Sequence, residues 1–132
     1  MTHATPIRVL VADDNAEIRS ALAALIDRDA ELQLAAVAAD ASEAVELAAR
    51  EQPDVALVDV RMPAGGAAAA VRGIASRSPK TSVILLSASG VAPDGLETKI
   101  TGCIAKGSPV RRLVDSLKRA AESSPLSVEP AR

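Results

Sequence analysis

Five short apolar runs alternate with stretches of helical periodicity, and that alternation constrains the fold more than any other feature. The runs are Ile7–Ala12, Leu32–Ala38, Val55–Val58, Ser82–Leu86 and Cys103–Ala105. Each is too short for a helix and bounded by polar or turn-forming residues, so each reads as a strand. Between them the spacing changes. Asn15 can cap a helix with Ile18, Leu22, Leu25 and Ile26 on one face. Asp40 and Glu43 resemble a capping box ahead of Val45, Ala48 and Ala49, and Pro53-Asp54 ends that helix. Ala67 to Arg77 has high helix propensity, points Val71 and Ile74 inward, and is closed by Ser78-Pro79. Ser108-Pro109 is an N-cap with proline at the first helical position, followed by Val110, Leu113, Val114 and Leu117. Gly90 to Thr101 breaks the rhythm: Gly90, Pro93 and Gly95 allow at most a short helix around Asp94–Ile100. Strands alternating with helices imply crossover connections, and near-continuous apolar strands imply a sheet covered on both faces. The expected fold is α/β: a doubly wound, five-stranded parallel sheet in a three-layer sandwich, with a short or irregular fourth helix.

Length and charge bound the rest. A chain of 132 residues fits one domain, expected over residues 1–122, with 123–132 as a tail or interdomain linker rich in Pro and Ser. The hydrophobic fraction is 48% with no Phe, Tyr or Trp, so the core must be aliphatic. The missing rings disfavour stacking on bases or sugars. A net charge of −2 leaves no basic footprint for direct nucleic-acid binding. The single cysteine, Cys103, excludes an intrachain disulfide and fits a reducing cytoplasm. No apolar run approaches a membrane span, and Met1 to Pro6 lacks the pattern of a signal peptide. A cytoplasmic location is therefore expected.

The polar residues fall in an informative place. Strand one ends at Asp13-Asp14, strand three at Asp59, strand four at Ser87 and strand five at Lys106. In an open parallel sheet, ligands bind beyond these carboxyl ends, near the switch point. Any single one of these residues has an ordinary reading as a helix cap, turn residue or solvated lysine. Together they make a cluster. Two carboxylates about 5 Å apart at an effective dielectric of about 20 repel by roughly 3 kcal/mol. A hard divalent cation removes that cost, and carboxylates plus a backbone carbonyl suit Mg²⁺. Lys106 adds fixed positive charge for an anion. The set suits a metal with a phosphoryl group, and one carboxylate could be the nucleophile.

In these residues the chain resembles the receiver domains of two-component response regulators, which have a flavodoxin-like fold. The resemblance covers about residues 7–122. It rests on Asp13-Asp14 after strand one, on Asp59 in Asp59-Val60-Arg61-Met62-Pro63, on Ser87-Ala88, and on Lys106. It implies that Asp59 accepts a phosphoryl group from a sensor histidine kinase or phosphotransfer protein. It implies that Asp14, Asp59 and the main-chain carbonyl of Arg61 hold Mg²⁺, with Asp13 helping through water. Lys106 and Ser87 would contact the phosphoryl oxygens, while Arg61 and Ser89 tune hydrolysis. Such a domain is a signalling switch rather than an enzyme with its own substrate, and can form a homodimer.

Three departures from the family pattern stand out. Cys103 occupies the position of a Tyr or Phe whose ring swings inward as the hydroxyl residue moves, so that switch cannot work in its usual form. Ser87 and Lys106 lie 19 positions apart, a few residues closer than is common, and the deficit falls in Gly90–Thr101. Gly65-Gly66 is a loop variant with little bearing on the chemistry. The missing ring and the shortened segment support a second reading: a degenerate receiver serving as a phosphorylation-independent binding or dimerisation module. A phosphohydrolase with an aspartate nucleophile would want a second aspartate at Arg61. A nucleotide-binding enzyme would want a glycine-rich loop after strand one.

Overall fold

The computed structural model describes residues 5–96 and 99–122. Five strands, β1 (Ile7–Ala12), β2 (Leu32–Ala38), β3 (Val55–Asp59), β4 (Ser82–Ser87) and β5 (Gly102–Ala105), form one sheet in the order β2-β1-β3-β4-β5. All four strand pairs are parallel. Four helices connect or follow them: α1 (Ala16–Asp27), α2 (Ala41–Glu51), α3 (Gly66–Arg77) and α4 (Val110–Glu122). This is the doubly wound sandwich the alternation predicts. Because side chains alternate along a strand, each central strand feeds two cores. Val9, Val11, Leu57 and Ile84 pack with Ile26 of α1 and with Leu113 and Leu117 of α4. Leu10, Ala12, Val58 and Leu85 pack with Ala44 and Ala48 of α2 and with Ala70, Val71 and Ile74 of α3. Small residues bring α2 and α3 close: a Cβ placed on Gly73 would collide with the Val45 side chain. That closeness lets an aliphatic core fill without rings.

Local signals act as expected at most helix ends. Asn15 Oδ1 accepts the Ile18 N–H, and Asp40 Oδ1 accepts the Glu43 N–H while Glu43 reaches back to the Ala39 N–H. Two details differ. Helix α2 stops at Glu51, with Gln52 in the left-handed region (φ 47°); its side-chain amide donates to Ala49 O and Arg77 O. Ile18 and Val110, expected on inward faces, are 37% and 58% exposed, because both line an open groove between α1 and α4 rather than the closed core. No helix forms among the described residues between β4 and β5. Two turns replace it, closed by Leu96 N–H to Pro93 O and Lys99 N–H to Leu96 O. Pro93 and two glycines at positive φ, Gly90 and Gly95, interrupt the ladder a helix needs there. The expected tail, 123–132, lies outside the described residues. Among those described, no helix is long and apolar enough to cross a membrane.

Candidate functional site

The sheet order places β1 beside β3, and the chain leaves them for opposite faces, so their carboxyl ends flank a crevice. Asp13 and Asp14 follow β1, and Asp59 is the last residue of β3. One carboxylate oxygen from each of the three lies within 4.8 Å of the others. Asp13 and Asp59 are buried and Asp14 is exposed. Lys106, just past β5, reaches back so that its Nζ lies 2.9 Å from Asp59 Oδ1. The Arg61 N–H donates to the same oxygen at 3.2 Å. Asp59 is thus oriented by two donors, and a three-residue turn at positive φ, Ala64 to Gly66, carries the chain away into α3.

Asp13 is the unbalanced member. Its Oδ1 accepts the Asn15 N–H at 2.9 Å, but its Oδ2 is buried with no hydrogen-bond partner. Loss of solvent pushes its carboxyl above the ordinary value; the Asn15 N–H opposes this and the nearby Asp59 charge adds to it. An orphaned buried carboxylate oxygen costs about 1–3 kcal/mol. Three converging carboxylates with one oxygen unpaired fit a hard divalent cation such as Mg²⁺. A contact not foreseen from sequence steadies the loop: Arg19 Nη1 donates to Asp13 O at 2.8 Å. Arg19 sits one turn beyond the Asn15 cap, so only the helix direction could have revealed it.

Ser87, at the end of β4, lies at the same edge but is engaged elsewhere. Its hydroxyl accepts the Gly90 N–H at 2.8 Å and lies 3.5 Å from Cys103 Sγ. No hydrogen bond joins it to Asp59 or Lys106 among the described residues. Cys103 is half-buried against the α2–α3 core, so it is the small hydrophobe the sequence allows and also a partner of Ser87. That pairing was not legible, since it depends on β4–β5 register, Leu85 facing Cys103 and Ser87 facing Ala105.

Residues 9–118 match the family described as response regulator receiver domain. A protein-glutamate methylesterase/protein-glutamine glutaminase of Pyrococcus horikoshii is 42% identical over 82 residues, 62% of this chain and 22% of that protein. The transcriptional regulatory protein YxjL of Bacillus subtilis is 28% identical over 118 residues, 87% of this chain and 54% of that protein. The chain thus spans only about a fifth to a half of the length of these curated relatives. Among solved structures, the response regulator domain of Thermotoga maritima CheB superposes with a TM-score of 0.79 at 27% identity, covering 95% of this chain and 99% of that one. The signal receiver domain of NarL from Mycobacterium tuberculosis gives 0.79 at 26%, covering 89% and 98%. The parallel five-stranded sheet, the acidic crevice at its switch point and the match across residues 9–118 converge: the chain belongs to the response regulator receiver domain family.

Proposed function

We propose that the chain takes a phosphoryl group onto Asp59 from a phosphohistidine of a sensor kinase or phosphotransfer protein, and that this modification is its signal. The observation that carries this reading is the oriented carboxylate: Asp59 is buried, and its Oδ1 is held by the Lys106 ammonium and the Arg61 N–H. With Oδ1 occupied, Oδ2 is the oxygen that presents a lone pair to phosphorus. As the O–P bond forms, the N–P bond breaks and its electron pair returns to the imidazole nitrogen. The transition state is loose, so positioning and charge do most of the work. Lys106 sits where it neutralises charge on the phosphoryl oxygens. Asp13, Asp14 and Asp59, with the main-chain carbonyl of Arg61, would hold Mg²⁺. When bound, Mg²⁺ supplies further charge neutralisation at the phosphoryl oxygens. Ser87 has to turn from its resting partners to reach the same group.

Receiver domains as a family act in signalling and engage histidine kinases or phosphotransfer proteins. The activities of the longer relatives are named for proteins of which this chain spans only a part. Incubation with a small acyl-phosphate donor and Mg²⁺ tests the assignment. Mass spectrometry is expected to find one added phosphoryl group in the wild type and none in Asp59→Asn. Equal labelling of both refutes the site. No labelling of either supports the degenerate reading instead.

A further inference from the structure

The two carboxylates beyond β1 flank a single peptide unit, the one joining Asp13 to Asp14. A peptide unit is planar, so a partner that fixes its carbonyl fixes the rotation of the whole plane. The directions in which both side chains leave the main chain are fixed with it. Asp13 is wholly buried, at 0% exposure, so its carbonyl needs a partner within the protein. Arg19 Nη1 takes that carbonyl at 2.8 Å. Arg19 is itself anchored. Its N–H donates to Asn15 O at 2.9 Å in the first turn of α1, and the Asn15 N–H donates to Asp13 Oδ1 at 2.9 Å. The contacts close a ring from Asp13 through Asn15 and Arg19 back to Asp13.

We infer that Arg19 is a positioning residue for the divalent cation, its hydrogen bond to the Asp13 carbonyl setting the aim of the Asp13 and Asp14 carboxylates. This rests on the reading of the acidic crevice as a Mg²⁺ site and extends it to a residue of α1. Asp14 has the greater need of such support. It is exposed, so its direction comes from the main chain rather than from packing. Asp59, by contrast, is held directly by Lys106 Nζ and the Arg61 N–H. Without Arg19 the buried Asp13 carbonyl loses its acceptor role, and the peptide relieves the cost by turning, which swings the carboxylates out of line. Two possible roles for the guanidinium have opposite signs. As a charge alone it would repel a cation, and its removal would tighten binding. As a donor that orients ligands, its removal weakens binding.

Mg²⁺ titrations followed by NMR amide shifts test the assignment, with thermal melts of the metal-free proteins confirming that each variant is folded. Arg19→Met is expected to weaken Mg²⁺ binding on the order of tenfold and to shift the Asp14 amide signal before any metal is added. Arg19→Lys, which keeps a donor, is expected to recover most of the affinity. Leu22→Ala loosens α1 against the core without touching this ring, and is expected to melt earlier but to bind Mg²⁺ as the wild type does. At saturating Mg²⁺, beryllofluoride, which stands in for a phosphoryl group on Asp59, is expected to bind Arg19→Met as it binds the wild type. Its loss there would place the damage at Asp59 and overturn the assignment to the Asp13–Asp14 peptide. Unchanged or tighter Mg²⁺ binding in Arg19→Met overturns the role of Arg19 while leaving the Mg²⁺ site intact. Equal weakening in Leu22→Ala overturns it too, since any loosening of α1 would then suffice. Absence of Mg²⁺ binding by the wild type overturns the metal site itself, and the inference with it.

Discussion

The two sides of the carboxyl edge are built differently. The Asp13–Asp59 side stands on β1 and β3, central strands hydrogen-bonded on both flanks and almost wholly buried. The Ser87–Cys103 side stands on β4, itself buried between two neighbours, and on β5, a four-residue edge strand with one neighbour, joined to β4 by turns in place of a helix. The contrast separates two tasks. Holding three carboxylates against their mutual repulsion needs a rigid frame, and the centre of the sheet provides it. Relaying a change would need an element whose rearrangement costs little, and the edge is the less braced of the two sides.

If the contrast is real, core substitutions of the same kind differ between the sides. Leu10, fully buried in β1, is surrounded by both neighbouring strands and by α2. Leu10→Ala is expected to cost about 4–5 kcal/mol, because the sheet cannot collapse onto the cavity. Leu96, 3% exposed in the β4–β5 connection, packs into the same core. Its truncation is expected to cost about 2 kcal/mol, since a segment of turns can settle into the space. Denaturant unfolding of the two variants measures both. Equal losses would mean that the connection is as firmly built as the sheet, and the division of tasks would fail.

A second test concerns the strain stored on the rigid side. Asp13 holds its proton more tightly folded than unfolded, because burial raises its carboxyl above 3.8. The folded state therefore gains from protonation. This group's contribution is most favourable below the unfolded value and declines as pH rises through the raised folded one. Asp13→Asn is expected to flatten that slope and to stabilise the metal-free protein by about 1 kcal/mol at pH 7. Mg²⁺ should then stabilise the variant less than the wild type. Thermal melts across pH, with and without Mg²⁺, read both effects. A variant less stable than wild type at neutral pH would show that the Asp13 carboxylate is already compensated.

The Asp13–Asp59 side was legible in the sequence, while on the Ser87–Cys103 side the positions were legible and the contacts were not, for a physical reason. Asp13, Asp14 and Asp59 end apolar runs, and strand ends in a parallel sheet share an edge, so period and order alone bring them together. Lys106 follows by the same logic. The Ser87–Gly90–Cys103 contacts depend on a glycine at φ +78° and on the register of a short edge strand. No periodicity encodes either. The Asp94–Ile100 region could be flagged as irregular from Pro93 and its glycines, but not resolved into turns. Ile18 and Val110 fit the helical spacing and still stand partly in solvent, because spacing gives a face and not the depth of its ends.

The smallest expected effect lies farthest from either side. Lys118 of α4 reaches Asp29 Oδ2 at 3.1 Å and Glu31 Oε1 at 2.7 Å, closing the amino-terminal edge of the sheet between α4 and the α1–β2 turn. The Glu31 N–H and then Lys118 hold the Asp29 carboxyl below its ordinary value, and Glu31, then Asp29, push Lys118 up. The depressed carboxyl stabilises the fold above about pH 3.8 and loses that effect as pH falls through its lower folded value. The three groups are partly exposed, so screening keeps the gain small. Lys118→Met is expected to cost about 0.5–1 kcal/mol at low salt and less at high salt. Because this network closes the edge opposite the acidic crevice, beryllofluoride affinity should be unchanged. A loss of affinity in Lys118→Met would mean that α4 transmits strain along its length to Lys106, and the two ends of the sheet would then not be independent.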